Sequence, residues 1–233
     1  MSTPELLPSD INILQLSDSF FPSGMYSMSS GLETIFYMRK ISSEEQLKSL
    51  IMVYLKNQFG PADCVALGNA YEAAKDSDLE RLIEVDQMIY SMKLVHEIRD
   101  ASVRSGSQML KCIGTFAKSK ILDAFLESIQ KGYASGIYPV VLGAVSAAFG
   151  IPKKKAGLML MYSFVVSIVG AALRLGMTNH FVGQKIINES GSTMIEMVNL
   201  HIDNPLVEMR QFIPQLDILQ ITHEQSDNRM FVT

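Results

Sequence analysis

Apolar residues recur along most of this chain at the three- and four-residue spacing of a helix face. Leu47, Leu50, Ile51, Tyr54 and Leu55 make one such stripe, and Leu79, Leu82, Ile83 and Ile89 another. Each follows a helix-start signal, Ser42-Ser43-Glu44-Glu45 and Ser77-Asp78-Leu79-Glu80. In that signal a serine caps free backbone N–H groups and a Glu three residues on reaches back to the cap. Gly60-Pro61 predicts a stop to the first helix, with Pro61 in the opening turn of the next. Further helices are predicted over 93–116, 121–131, 138–149, 153–175, 179–188 and 192–201, after a short apolar one that closes near Ser17. No stretch alternates apolar and polar residues at strand spacing between turn signals. The expected fold is all-α, a single-domain bundle of about ten helices with short connections and no polar linker to divide it. Residues 1–9 are expected to be disordered and 10–204 to form the helical domain. Residues 205–233 carry Pro214, many polar groups and one apolar patch, Leu216 to Leu219, which predicts a flexible tail that orders against a partner and whose removal spares the fold.

Composition adds little to fold class but narrows function. With 48% hydrophobic and 19% charged residues, the 233-residue chain has material for a large core. A net charge of −4 gives no basic field for nucleic acid. Cys64 and Cys112 are too far apart in sequence for a CxxC motif and read as reduced, largely buried thiols. The first ten residues lack the basic start and apolar stretch of a secretory signal, so a cytoplasmic location is expected.

Charge is unevenly spread. Residues 132–183 contain no Asp or Glu and carry +4 on Lys153, Lys154, Lys155 and Arg174, leaving −8 for the rest. Within this block Gly132–Pro152 and the 18-residue run Ala156–Leu173 have no charge at all. Two buried helices, at a core or a subunit interface, are the expected reading. The alternative is a membrane-associated hairpin over 132–175, which Pro139 and the lysine triplet disfavour.

Catalytic signatures are missing. Gly-Lys never occurs, so there is no phosphate-cradling GxxxxGK[ST] loop, and GxGxxG and GxSxG are absent too. His223-Glu224 opens like a zinc-protease motif, but Asp227 stands where the second His is needed. His96, His180, His201 and His223 are scattered, and a hydrolase would have to draw on isolated groups such as Asp18, Glu33 or His96. A non-enzyme is expected.

The most unusual segment is Leu14 to Glu33, where Phe20-Phe21-Pro22-Ser23-Gly24-Met25-Tyr26-Ser27 leads into Gly31-Leu32-Glu33. It resembles the N-terminal pattern of the UreF family of urease accessory proteins, in which Pro22, Gly24, Tyr26, Ser27 and Gly31 match motif positions. Later segments keep that family's order. Arg99, Ser102, Arg104 and Gly106 look like its R-x-x-S-x-R-x-G helix, and Tyr138-Pro139-Val140-Val141-Leu142-Gly143 with Phe149-Gly150-Ile151 like its PVV…GI element. Ala172-Leu173-Arg174-Leu175 with Gly183-Gln184, and Asp217-Ile218, His223-Glu224 and Arg229-Met230-Phe231 at the end, complete the likeness. Ile137 stands where many relatives have His, which counts against a metal relay there. The resemblance implies an all-helical, non-catalytic nickel-insertion chaperone. It also implies a homodimer that binds UreD (UreH in some lineages), recruits the GTPase UreG and helps load apo-urease, with nickel passing through the complex rather than residing as a cofactor. Glu33, Arg174 and Gln184 fall at positions implied to face UreG. Asp217, Ile218, His223, Glu224, Arg229 and Phe231 fall in the tail implied to bind UreD.

Overall fold

The computed structural model describes residues 5–22, 28–41, 43–224 and 231, with the side chains of 223 and 224 excepted. Among them are α1 (Pro8–Ser17), α2 (Leu32–Tyr37), α3 (Glu44–Tyr54), α4 (Val65–Lys75), α5 (Leu79–Met92) and α6 (His96–Ile113). There follow α7 (Lys120–Gln130), α8 (Tyr138–Ala148), α9 (Lys153–Arg174), α10 (His180–His201) and α11 (Pro214–Glu224). No strand occurs among the described residues, and the fold is all-α as expected.

The uncharged sequence runs are the middle of the bundle. Every residue of α8 from Tyr138 to Ser146 is buried, and the helix packs on α4, α6 and α9. Glycines let the backbones close up: a Cβ on Gly143 would lie 2.5 Å from the Leu67 carbonyl oxygen, and one on Gly106 would run into the Gly136 carbonyl. At eleven residues α8 is about 16 Å long, too short for a hydrocarbon layer of about 30 Å. The second arm of a membrane hairpin is therefore not there. α9 alone is long and apolar enough to cross a membrane, and two-thirds of its most apolar window is buried inside the fold.

Helix starts moved by one residue from the predicted caps. Ser43, not Ser42, caps α3 and accepts from the Gln46 N–H; Ser42 lies outside the described residues. Asp78, not Ser77, caps α5 through the Arg81 N–H, because Ser77 has φ 57° and belongs to the turn that ends α4. The two helices predicted over 179–188 and 192–201 are one, α10, since Ser190 hydrogen-bonds back to the Ile186 carbonyl and Gly191 keeps helical backbone. At the N-terminus helix begins at Pro8 and Ser9 is buried, so order reaches into the stretch expected to be disordered.

Gly60-Pro61 does not stop its helix. Residues Leu55–Cys64 continue α3 into α4 as a π-helical segment. Pro61 has no N–H to offer the Asn57 carbonyl one turn back, and the wider π turn accommodates that gap. The tail fills it: Phe212 N–H donates to the Asn57 carbonyl at 3.2 Å and Arg210 N–H to the Pro61 carbonyl at 3.0 Å. The region expected to be irregular is thus a 3₁₀ turn (Leu206–Glu208) and α11, docked with Met209, Ile213, Leu216 and Gln220 buried. Its apolar residues recur through 209–220 rather than clustering at 216–219, which is the signal the sequence reading passed over.

Two buried acids hold the connections. Asp86 on α5 accepts the N–H groups of Ser135, Gly136 and Ile137, tying the loop before α8 to the bundle. Burial pushes its carboxyl above the usual range even though the three donors pull the other way. Asp86→Ala would leave three buried N–H groups without acceptors and is expected to cost about 3 kcal/mol or more in denaturant unfolding. Asp63 in the π segment pairs with Lys93 at 2.8 Å, both buried. The same burial, with Asp63 and Asp203 nearby, pushes the Cys64 thiol up to about 12, so it stays a thiol.

His201 closes α10 under the π segment, where its ring abuts Gly60. Burial, then the Arg210 charge, lower its pKa below the ordinary 6.5. The unfolded chain therefore binds this proton more readily, and stability declines as pH falls below 6.5. Replacing His201 by Gln is expected to flatten that part of the stability–pH curve, read as the denaturation midpoint at several pH values.

Candidate assembly site

Three distant stretches of sequence meet at one place. α2 begins at Gly31, whose φ of 82° an L side chain rarely adopts, and there a Cβ would lie 2.9 Å from Gln220 Cγ of α11. Gln220 is buried and donates to the Tyr54 hydroxyl of α3 at 3.0 Å and to the Ser30 carbonyl at 3.3 Å; Tyr54 itself donates to the Ser30 carbonyl. The N-terminal motif, α3 and the tail helix are thereby locked in one buried network.

Beside it, Glu33 on α2 is buried and accepts the Phe231 N–H through Oε2 at 3.2 Å. The Arg174 guanidinium, at the last turn of α9, lies 4.6 Å from the centre of the Phe231 ring, a cation–π contact. Asp217, one turn before Gln220, is half-buried, and desolvation raises its pKa. An internal cavity of about 40 Å³ runs beneath, from Gln220, Ser30 and Tyr54 to Gln58, Asp63 and Lys93.

Of the residues singled out in the sequence, Glu33, Gly31, Arg174, Phe231 and Asp217 thus gather around the tail. Ile218 is exposed on α11, and Gln184 is exposed on α10. Arg99, Ser102 and Gly106 serve the frame. Arg99 stacks on Tyr90, the Ser102 hydroxyl accepts the Tyr138 N–H at the start of α8, and Gly106 makes the close approach to Gly136. Arg104 and Pro22 are exposed. Gly24, Tyr26, Ser27 and Arg229 lie outside the described residues, as do the side chains of His223 and Glu224. Tyr54 and Gln220 were missed in the sequence. Tyr54 reads there as one more core position of a stripe, and nothing in the tail's pattern separates Gln220 from its polar neighbours.

Other groups read as candidates are tied down. Lys153 bridges Glu72 and Asp203, Lys155 pairs with Asp10 at 3.6 Å and Lys154 bonds Asn199, so the lysine corner joins its own helices together. Asp203 is thereby bound to Lys153, while the neighbouring His201 is buried. Among the described residues no three His, Cys, Asp or Glu side chains gather as a metal-holding group.

This geometry, a helical frame that buries its few charges and carries no clustered catalytic groups among the described residues, is that of an accessory protein, and the comparisons name the same class. The family profile described as UreF matches residues 41–191. Similar chains include the urease accessory protein UreF of Trichodesmium erythraeum, 29% identical over 230 residues covering 97% of this chain and 99% of the relative. Urease accessory protein UreF 1 of Brucella melitensis is 30% identical over 226 residues, 97% of this chain and 93% of its own. The relative from Bacillus sp. strain TB-90 is 29% identical over 226 residues, 96% and 98% of the two chains. The chain belongs to the UreF family of urease accessory proteins.

Proposed function

We propose that this chain bridges UreD (UreH) and the GTPase UreG in the cytoplasm and regulates GTP-dependent nickel delivery to apo-urease, with nickel as cargo rather than as a resident cofactor. The observation that carries this reading is the junction of Glu33, Arg174 and Phe231. A site made of the N-terminal motif, the end of α9 and the tail is one where a ligand of the tail is felt by the residues on the UreG side. Tail docking supplies the UreD side. Val207, Phe212, Ile218 and Ile221 point outward from a segment whose other apolar residues face the core, and an apolar surface of this kind on a held helix suits a protein partner. The buried Glu33 and the Arg174–Phe231 contact set the position of the tail, so that UreD on the tail pre-organises the surface UreG meets.

Co-purification with tagged UreD and with UreG plus GTP tests it. Ile218→Glu places a charge on the outward face and is expected to weaken UreD capture at least tenfold while leaving the fold intact. Arg174→Ala removes the contact to Phe231 and is expected to keep UreD and lose UreG. Capture of both partners at wild-type levels by both variants would overturn the proposal.

A further inference from the structure

A second surface, built from α1, α9 and α10, carries its own features. α1 is ten residues long, below the about 12–15 at which a helix holds by itself, and buries only Ser9 and Leu16. Its N-cap Leu7, Ile11 and Leu14 stand 60%, 65% and 68% exposed at the i, i+4, i+7 spacing of one stripe. That stripe is a ridge. Beside it runs a groove of about 700 Å³ lined by Ile13, Leu14, Leu158, Tyr162, Met194 and Ile195, with an open notch at Gly191.

Charge is missing here in a way that burial does not explain. The outward side of α10 reads Phe181, Gln184, Asn188, Ser192 and Ile195, exposed over about 21 Å with no ionisable group. The outward side of α9 reads Leu158, Tyr162, Val166 and Gly170. Charged groups appear at the borders: Asp10 and Lys155 pair at one edge, and Glu189 binds Lys48 at 2.6 Å on the flank of α10. A neutral centre with charged edges is how the core of a protein interface is composed.

We propose that this face is covered by a second copy of the chain about a two-fold axis. Such an interface must be complementary to itself, with each copy supplying both parts, and a ridge lying next to a groove on one face meets that requirement. Neutrality favours the same occupant. Two copies that each carry −4 repel through most of their surfaces, and this face can meet itself without placing like charges together. The amides of Gln184 and Asn188 pair with themselves as readily as with anything else. Closure would seat Leu7, Ile11 and Leu14 in the opposite groove and give α1 the cover it lacks. Self-association through this face and capture of UreD or UreG at the tail are separate properties, read by different measurements.

Light scattering on the full chain after size exclusion gives the test. The expected mass is twice the 25.9 kDa of one chain. Leu14→Glu and Ile195→Glu, each at an exposed position, are expected to return it to 25.9 kDa, and each substitution acts twice in a symmetric interface. Leu94→Glu, equally exposed but away from the groove, keeps the doubled mass. Amide exchange on the unsubstituted chain needs no variant: α1 is expected to be protected when concentrated and to lose protection on dilution. A 25.9-kDa particle at about 100 µM would overturn the proposal. So would a dimer indifferent to both glutamates, α1 protection independent of concentration, or a monomer that instead floats with anionic lipid vesicles.

Discussion

Gly143→Ala is expected to destabilise the chain by about 3 kcal/mol, lowering the thermal midpoint by about 6–12 °C for a domain of this size. The added methyl meets the Leu67 carbonyl oxygen at 2.5 Å, between α8 and α4 at the centre of the bundle. A side chain there has no rotamer in which to retreat, so one helix must move, and α8 is enclosed along nearly its whole length. Gly170→Ala on α9 is the control. Nothing lies within 4 Å of its Cβ, and alanine's better helix propensity is expected to leave stability unchanged or raise it by up to about 1 kcal/mol. Equal midpoints for the wild type and Gly143→Ala in calorimetry would contradict the close helix contact.

Ending the chain at Pro205 is expected to do greater damage. The residues removed bury Met209, Ile213, Leu216 and Phe231, each worth about 1.5–3 kcal/mol of burial as an upper bound. Their loss also strips the Asn57 carbonyl of Phe212 and leaves the Tyr54 hydroxyl without Gln220. After the entropy regained by the free tail, a net loss of at least about 4 kcal/mol remains, much of what keeps a domain folded. The truncated chain is expected to aggregate or to unfold without a cooperative transition in urea. A sharp transition at the wild-type midpoint would return the tail to the free segment that the sequence suggests. Partner binding is therefore tested with point variants on the outward face and not with truncations.

The difference between those two readings of the tail shows what the sequence carries and what it hides. Helix faces repeat every three or four residues, so the stripe from Leu47 to Leu55 and the apolar runs of α8 and α9 are legible locally. Pro61 reads as a stop because a proline usually is one. That the helix passes through it depends on a π turn and on N–H groups about 150 residues later, which no local pattern contains. Glu33 and Arg174 are legible only through resemblance to UreF motifs, as charged residues in otherwise small or apolar stretches. Their junction with Phe231 is tertiary. Gln220 is invisible for the same reason: a glutamine on a short helix is ordinarily solvated, and only its position over Gly31 and Tyr54 gives it a role. The lysine triplet shows the opposite case, a conspicuous sequence feature that proves to be a set of ion pairs between the chain's own helices.

The central claim is that the chain acts on urease by assembly and performs no chemistry of its own. The most direct measurement is the nickel content of urease purified from cells that lack this chain. The expected result is normal amounts of urease protein with most of its nickel and activity gone, both restored by the wild-type chain and not by Arg174→Ala. Fully nickel-loaded, active urease from those cells would contradict it.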